Sequence, residues 1–227
     1  MHMKFGGLQK TSLLDFPGRV CSILFTVGCN LRCPFCHNWR LILNPKPPFL
    51  SEEDALKILL SRKKYVDAVE ITGGEPAMNR DLPRFVKRLK EYGFQIKLDT
   101  NGFYPEVLKE CLPYLDYVAM DVKTSLEKYR LLGAKSVDKM LESIEIIKEG
   151  NVDYEFRNTV VPKIVEEDDV PKIGRLVKGA KRFVFQQFRP GDTLDKVFSN
   201  MEPYPESVIL RFSRIMKKYV SEVILRI

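Results

Sequence analysis

The chain has 227 residues, 44% hydrophobic and 30% charged, with 13 glycines and 14 prolines; this excludes a disordered or collagen-like polymer and allows one domain with a sizeable core. Lysine and arginine outnumber aspartate and glutamate by 37 to 30, and the resulting +7 suits solubility or an acidic partner surface without assigning a function. Five cysteines, an odd number, argue against a disulfide framework, and two histidines, His2 and His37, exclude mechanisms that need several imidazoles.

In chain order, Met1–Lys10 lacks a basic segment followed by an apolar run, and no apolar stretch is long enough to span a bilayer, so the expected compartment is the cytoplasm, with no membrane partner. Val20–Phe25 reads as a short buried strand, followed by a polar loop that carries three cysteines. Ser51 is an N-cap for a helix to about Lys64, with Glu52, Glu53 and Asp54 in its first turn and a stripe of Ala55, Leu56, Leu59 and Leu60. The strand Val66–Thr72 runs into Gly73–Gly74–Glu75–Pro76. A helix at about Asp81–Tyr92 precedes the strand Phe94–Asp99 and the turn Thr100–Asn101–Gly102. Helices at about Pro105–Cys111, Val137–Lys148 and Glu167–Val177 alternate with strands Tyr117–Asp121, Tyr154–Val161 and Arg182–Gln186. The tail offers a helix at about Glu206–Lys218 and an edge strand Val220–Leu225.

This alternation predicts an α/β fold with a parallel sheet. A full eight-unit barrel needs about 250 residues, so the expectation is an open, partial (β/α)6 TIM-like barrel. A doubly wound sheet competes, but its G-x-G-x-x-G fingerprint is absent, as is a phosphate-binding G-x-x-x-x-G-K-[ST] loop. One domain over 1–227 is expected, with a core at about 18–190 and the helix and edge strand in 203–227. The proline-rich loop Arg40–Leu50 is expected to be stiff and to cover one end of the site. The cysteines, Gly73–Glu75, Asp99–Gly102, Asp121–Lys123 and Arg157–Pro162 all fall at the carboxyl ends of predicted strands, the face on which parallel α/β sheets build their sites.

The cysteines stand as Cys29, Cys33 and Cys36, spaced C-x3-C-x2-C. Three readings compete. A buried helical stripe conflicts with Pro34, which disfavours helix at Cys33. Zinc with His37 as fourth ligand requires adjacent residues to converge on one ion. A four-iron cluster held by three thiolates leaves one iron open for a substrate or cofactor; Cys21 lies mid-strand and Cys111 near a helix end, both read as core packing.

With these motifs the chain resembles the radical S-adenosylmethionine superfamily. The cysteine loop with Phe35 before its last cysteine is similar to the first signature, and Ile71-Thr72-Gly73-Gly74-Glu75-Pro76 to the second. Gly6–Asn38 resembles the activating enzymes of glycyl-radical proteins, above all the activators of anaerobic ribonucleoside-triphosphate reductase. The resemblance implies a [4Fe-4S] cluster on Cys29, Cys33 and Cys36, with the amino and carboxylate groups of S-adenosylmethionine on the fourth iron. It implies Phe35 near the adenine, Gly73, Gly74 and Glu75 at the methionine amino group, Asp99, Thr100, Asp121 and Lys123 near the methionyl and ribose groups, and Arg157 as a further contact. Gln187 is expected to meet the adenine, and in some activases a monovalent cation binds at the positions of Asp99, Thr100 and Asp121.

The implied chemistry is reductive cleavage of S-adenosylmethionine to a 5′-deoxyadenosyl radical, which takes hydrogen from a partner enzyme's glycine. The implied partners are a glycyl-radical enzyme and a flavodoxin- or ferredoxin-like electron donor; nucleic acid is not expected. A radical enzyme for a small molecule or tRNA base, and a non-enzymatic iron–sulfur electron-transfer module, are the alternatives.

Overall fold

The computed structural model describes residues 3–227, so His2 lies outside the described residues. The strands are β1 (Lys4–Phe16), β2 (Arg19–Thr26), β3 (Leu50–Ser51), β4 (Ala68–Gly73), β5 (Gln95–Thr100), β6 (Tyr117–Asp121), β7 (Asp153–Val160), β8 (Arg182–Gln187) and β9 (Glu222–Arg226). The helices are α1 (Trp39–Leu43), α2 (Glu52–Arg62), α3 (Leu82–Glu91), α4 (Pro105–Cys111), α5 (Asp138–Glu149), α6 (Asp169–Leu176), α7 (Lys196–Ser199) and α8 (Glu206–Met216).

Among the described residues the strands form one sheet in the order β3-β1-β2-β4-β5-β6-β7-β8-β9. The run from β2 through β4, β5, β6, β7 and β8 to β9 is parallel, while β1 joins β2 and β3 antiparallel. The order is linear, so the sheet stays open, yet it curves. Phe16 at the end of β1 packs on Tyr117 of β6, with ring centroids 6.1 Å apart. Phe16 also shares a cavity with Ile224 and Arg226 of the far edge strand. A curved, open parallel sheet covered by helices is the partial barrel that the element pattern predicted.

Period-two alternation splits the central strands into two rows. Leu24, Val69, Ile71, Ile96, Leu98, Val118 and Met120 join the core with helix residues such as Leu56, Leu59, Phe85 and Ile144. The opposite row carries Cys21, Ile23, Ala68, Tyr117 and Ala119 in a smaller apolar cluster. It also carries Glu70, Lys97, Asp99, Asp121, Glu155 and Arg157, paired side by side through the registers Glu70↔Lys97, Asp99↔Ala119, Ala119↔Glu155 and Asp121↔Arg157. The barrel interior is therefore polar over much of its height.

Local rules account for the helix starts. Ser51 Oγ accepts from the Asp54 N–H at 3.1 Å, with Glu52, Glu53 and Asp54 in the first turn of α2. Pro105 opens α4, where its missing N–H costs nothing.

Three features differ from the sequence reading. Strand β1 was not anticipated, because its ladder to β2 shifts register three times and most of its residues are not buried, which blurs alternation. The short helices α1 and α7 were also missed. Leu60 is 37% exposed and lies outside the stripe that buries Ala55, Leu56 and Leu59. The expected tail edge strand is present as β9, beside β8. No helix among the described residues is long and apolar enough to cross a membrane.

Phe85 of α3 is fully buried and packs on Phe5 of β1, with centroids 5.3 Å apart, so it ties a helix to the hairpin. Phe85→Ala is expected to lower unfolding stability by about 3–5 kcal/mol in urea titrations followed by circular dichroism.

Candidate active site

The strands deliver their carboxyl-terminal residues into one cavity of about 280 Å³, whose lining includes Cys29, Cys33, Phe35, Cys36, Gly73, Gly74, Glu75, Asp99, Thr100, Asp121, Lys123 and Arg157. The three cysteines and the expected cofactor contacts other than Gln187 thus line one cavity.

The cysteine loop is a turn, not a helix. The Cys36 N–H donates to the Cys33 carbonyl at 3.0 Å, with Pro34 second in the turn, where its fixed φ is favourable. Arg32 Nη1 donates to the carbonyls of Cys29 and Leu31 at 2.7 and 2.8 Å. The Leu31 N–H and Asn101 Nδ2 point at Cys29 Sγ at 3.4 and 3.7 Å. All three cysteines are free. Burial pushes the thiols up, to about 11 at Cys29 and about 12 at Cys33, with Cys36 raised as well.

Two structures clamp this loop. On one side is the end of β4. The Gly74 N–H donates to the Thr26 carbonyl at 2.9 Å and the Glu75 N–H to the Gly28 carbonyl at 2.8 Å. Gly73 has φ +109°, and a Cβ on Gly74 would overlap the Gly28 carbonyl, so this close approach requires glycine at both positions. On the other side is a strap leading into α7. The Leu194 and Asp195 N–H groups donate to the Cys36 and Pro34 carbonyls at 3.1 and 2.8 Å, and Phe198 packs on Phe35 with centroids 6.4 Å apart. An Arg40–Asp192 ion pair fastens the strap to α1.

Glu75 is 1% exposed, and its carboxylate is heavily engaged. It accepts from Thr100 Oγ1 at 2.7 Å and from the N–H groups of Ala77 and Asn101 at 3.0 and 2.7 Å. Burial pushes its carboxyl up to about 7, against the pull of those hydrogen bonds. Glu75 thus locks the end of β5 to the end of β4.

A ladder of alternating charges crosses the cavity floor. Lys97 Nζ lies 2.5 Å from Asp99 Oδ1, and Arg157 Nη2 lies 2.7 Å from Asp99 Oδ2. Arg157 Nε lies 2.7 Å from Asp121 Oδ1, and Lys123 Nζ 2.8 Å from Asp121 Oδ2. Burial raises both aspartates, but the charges of Arg157 with Lys97, and of Arg157 with Lys123, outweigh it and hold Asp99 and Asp121 below the usual carboxylate range.

Several residues in and beneath the cavity were not anticipated. Lys97 and Glu70 lie beneath its lining, hidden inside strands read as buried; their signal was a charge at the inward parity of each strand. Gln186 and Phe188 line the cavity, whereas Gln187 faces away and donates from Nε2 to the Tyr204 carbonyl at 3.0 Å. The sequence reading named Gln187, but of the two adjacent glutamines it is Gln186 that lines the cavity, because a one-residue offset in a strand reverses the face. His37 also lines the cavity, with its ring stacked on Phe188 at 6.4 Å. Of the Arg40–Leu50 loop, Ile42 reaches the cavity, while the prolines stay outside its lining.

Three free thiols in one loop thus stand beside a cavity lined by both cations and carboxylates. The profile of the Radical SAM superfamily matches residues 23–177, and the chain belongs to that superfamily, whose members use a [4Fe-4S] cluster and S-adenosylmethionine. The chain is 35% identical over 97% of its length, and 94% of the relative's, to "Putative glycyl-radical enzyme activating enzyme MJ1227" of Methanocaldococcus jannaschii. It is 28% identical to the pyruvate formate-lyase-activating enzyme of Clostridium pasteurianum, over 82% of this chain and 81% of that one. The solved structure of TYW1 with a lysine-pyruvate adduct covers 88% of this chain and 74% of its own, with a TM-score of 0.66 at 20% identity, a likeness of fold.

Because Asp99 and Asp121 titrate below the unfolded value of about 3.9, the stability they contribute is fully present above about pH 4. It drains away as pH falls through their depressed pKa values. Arg157→Leu removes the cation that both share. It is expected to move acid unfolding, followed by circular dichroism, to higher pH and to cost about 3–5 kcal/mol at neutral pH.

Proposed function

We propose that this chain activates a glycyl-radical enzyme in the cytoplasm, with anaerobic ribonucleoside-triphosphate reductase as the favoured partner and a flavodoxin- or ferredoxin-like protein as electron donor. The observation that carries the reading is the three-thiol loop facing a charged cavity, in a chain 35% identical over nearly its whole length to a protein named for this activity. The residues fit the cofactors. The donor set is three thiols, one short of saturating a four-iron cluster. The cavity beside it offers both signs of charge to an amino acid end.

In this reading Cys29, Cys33 and Cys36 hold three irons. A [4Fe-4S] cluster held there would supply the electron for reductive cleavage of S-adenosylmethionine, and with it the radical chemistry that removes a hydrogen atom from the partner's glycine. The chain's own residues bind, orient and exclude water. The Leu31 N–H and the Asn101 side-chain amide direct hydrogen bonds at Cys29 Sγ, which would tune the cluster's potential. Gly73 and Gly74 leave backbone open to the methionine amino group, while Glu75 braces that backbone and Thr100. The Asp99–Arg157–Asp121–Lys123 ladder orients the methionyl carboxylate and the ribose hydroxyls. Phe35, held by Phe198, forms an apolar wall for the adenine.

Anaerobically reconstituted protein is expected to give stoichiometric 5′-deoxyadenosine and a glycyl doublet in electron paramagnetic resonance with its cognate partner alone. Cys33→Ala should reduce both to background. Turnover of a free small molecule or tRNA without any protein partner would replace the activase reading with the alternative radical enzyme. Undiminished S-adenosylmethionine cleavage by Cys33→Ala would contradict the ligand assignment.

Gln186→Ala is expected to weaken S-adenosylmethionine binding by about 10-fold or more, the equivalent of losing one hydrogen bond of about 1.4 kcal/mol. Gln187→Ala should leave it unchanged; equilibrium dialysis against the reconstituted protein reads the difference.

A further inference from the structure

Lys97 lies below the residues that line the cavity and is 1% exposed. Its neighbour on β4, Glu70, is 3% exposed, and Glu70 Oε2 is buried and makes no aligned hydrogen bond. Lys97 Nζ faces that oxygen at 3.3 Å and Asp99 Oδ1 at 2.5 Å. A single ammonium therefore sits between two inward carboxyl groups from adjacent strands. Above it, Arg157 takes the other oxygen of Asp99 and one of Asp121, and Lys123 takes the last. Every carboxylate oxygen of Asp99 and Asp121 thus faces a side-chain cation. A metal cation at Asp99, Thr100 and Asp121, as the sequence led one to expect, would have to displace one of them.

We propose that Lys97 is a built-in cation, whose ammonium fills the position between Glu70 and Asp99 that a monovalent metal ion would otherwise have to occupy, so that the site assembles without added potassium or sodium. An ammonium and a potassium ion are alike in charge and similar in size. The difference is that the lysine is tethered to β5, so it gives up side-chain rotamer freedom but none of the translational entropy that a captured free ion would lose. Lys97 is a positioning residue: it acts through Asp99, holding that carboxylate against Arg157. Without it, two buried carboxyl groups would share a pocket with no cation between them, which costs several kcal/mol or forces one to stay protonated. Burial already pushes the Glu70 carboxyl upward, and the charge of Asp99 adds to this.

The test uses the reconstituted 227-residue chain. Thermal unfolding is measured in potassium, sodium and tetramethylammonium chloride at one ionic strength, the last being too large for the position. The wild-type chain should melt at the same temperature in all three. Lys97→Met should melt roughly 10 °C lower in tetramethylammonium and regain a large part of the loss, saturably, in potassium or sodium. A merely structural lysine would show no such selectivity. If Lys97→Met does not fold, Glu70→Gln/Lys97→Met removes both charges, keeps Asp99, and should show weaker selectivity of the same sign. Saturable stabilisation of the wild-type chain by potassium or sodium would overturn the proposal, as would variants indifferent to the cation. The melting temperature does not depend on which partner protein the enzyme serves, so failure of the activase reading would appear separately, as absence of a glycyl radical.

Discussion

The guanidinium of Arg157 binds Asp99 with one nitrogen and Asp121 with another, and this double contact spans β5, β6 and β7. Charges are costly inside a sheet unless each is paired, and removing one member leaves another stranded. The ladder from Lys97 to Lys123 therefore fixes strand register as well as cavity chemistry. A one-residue slip of β5 would turn Asp99 and Lys97 toward the helices and bring Ile96 and Leu98 inside. The same alternation that makes the outer rows apolar makes the inner rows a binding surface.

The cysteine loop depends on this frame without being part of it. It has no regular secondary structure, and its shape comes from neighbours. The glycines at the end of β4 let two backbones approach until their amides and carbonyls pair. The strap before α7 supplies two more N–H donors from the opposite side. Glu75 joins the two systems, since its carboxylate holds Thr100 and Asn101 while its N–H holds Gly28. A flexible loop thereby becomes a rigid seat, which a redox centre needs if its potential and its distance to the cofactor are to stay constant.

Much of this was legible in the chain itself. The alternation of short β-branched runs with amphipathic segments specified a parallel sheet, because strands that run parallel need long crossovers and these are usually helical. The spacing of Cys29, Cys33 and Cys36 around Pro34 specified a turn, since proline cannot sit inside a helix. The placement of polar motifs just beyond strands specified the face of the site. These are local properties, set by chain geometry within a few residues.

What required the tertiary structure was the choice between faces and the identity of distant partners. Nothing within β8 says whether Gln186 or Gln187 turns inward; the sheet's curvature and the packing of Tyr204 decide it. Nothing near Lys97 reveals that Glu70 stands beside it, because that neighbour comes from a different strand 27 positions earlier (97 minus 70). The strap of residues 193–195 was assigned no element from sequence and becomes the second wall of the cysteine loop only in the folded chain, after β8. Sequence determined which segments form strands, helices and the thiol loop, since those follow from backbone and side-chain sterics. Folding decided which charges pair, since pairing in a buried interior depends on distances that only the assembled sheet defines.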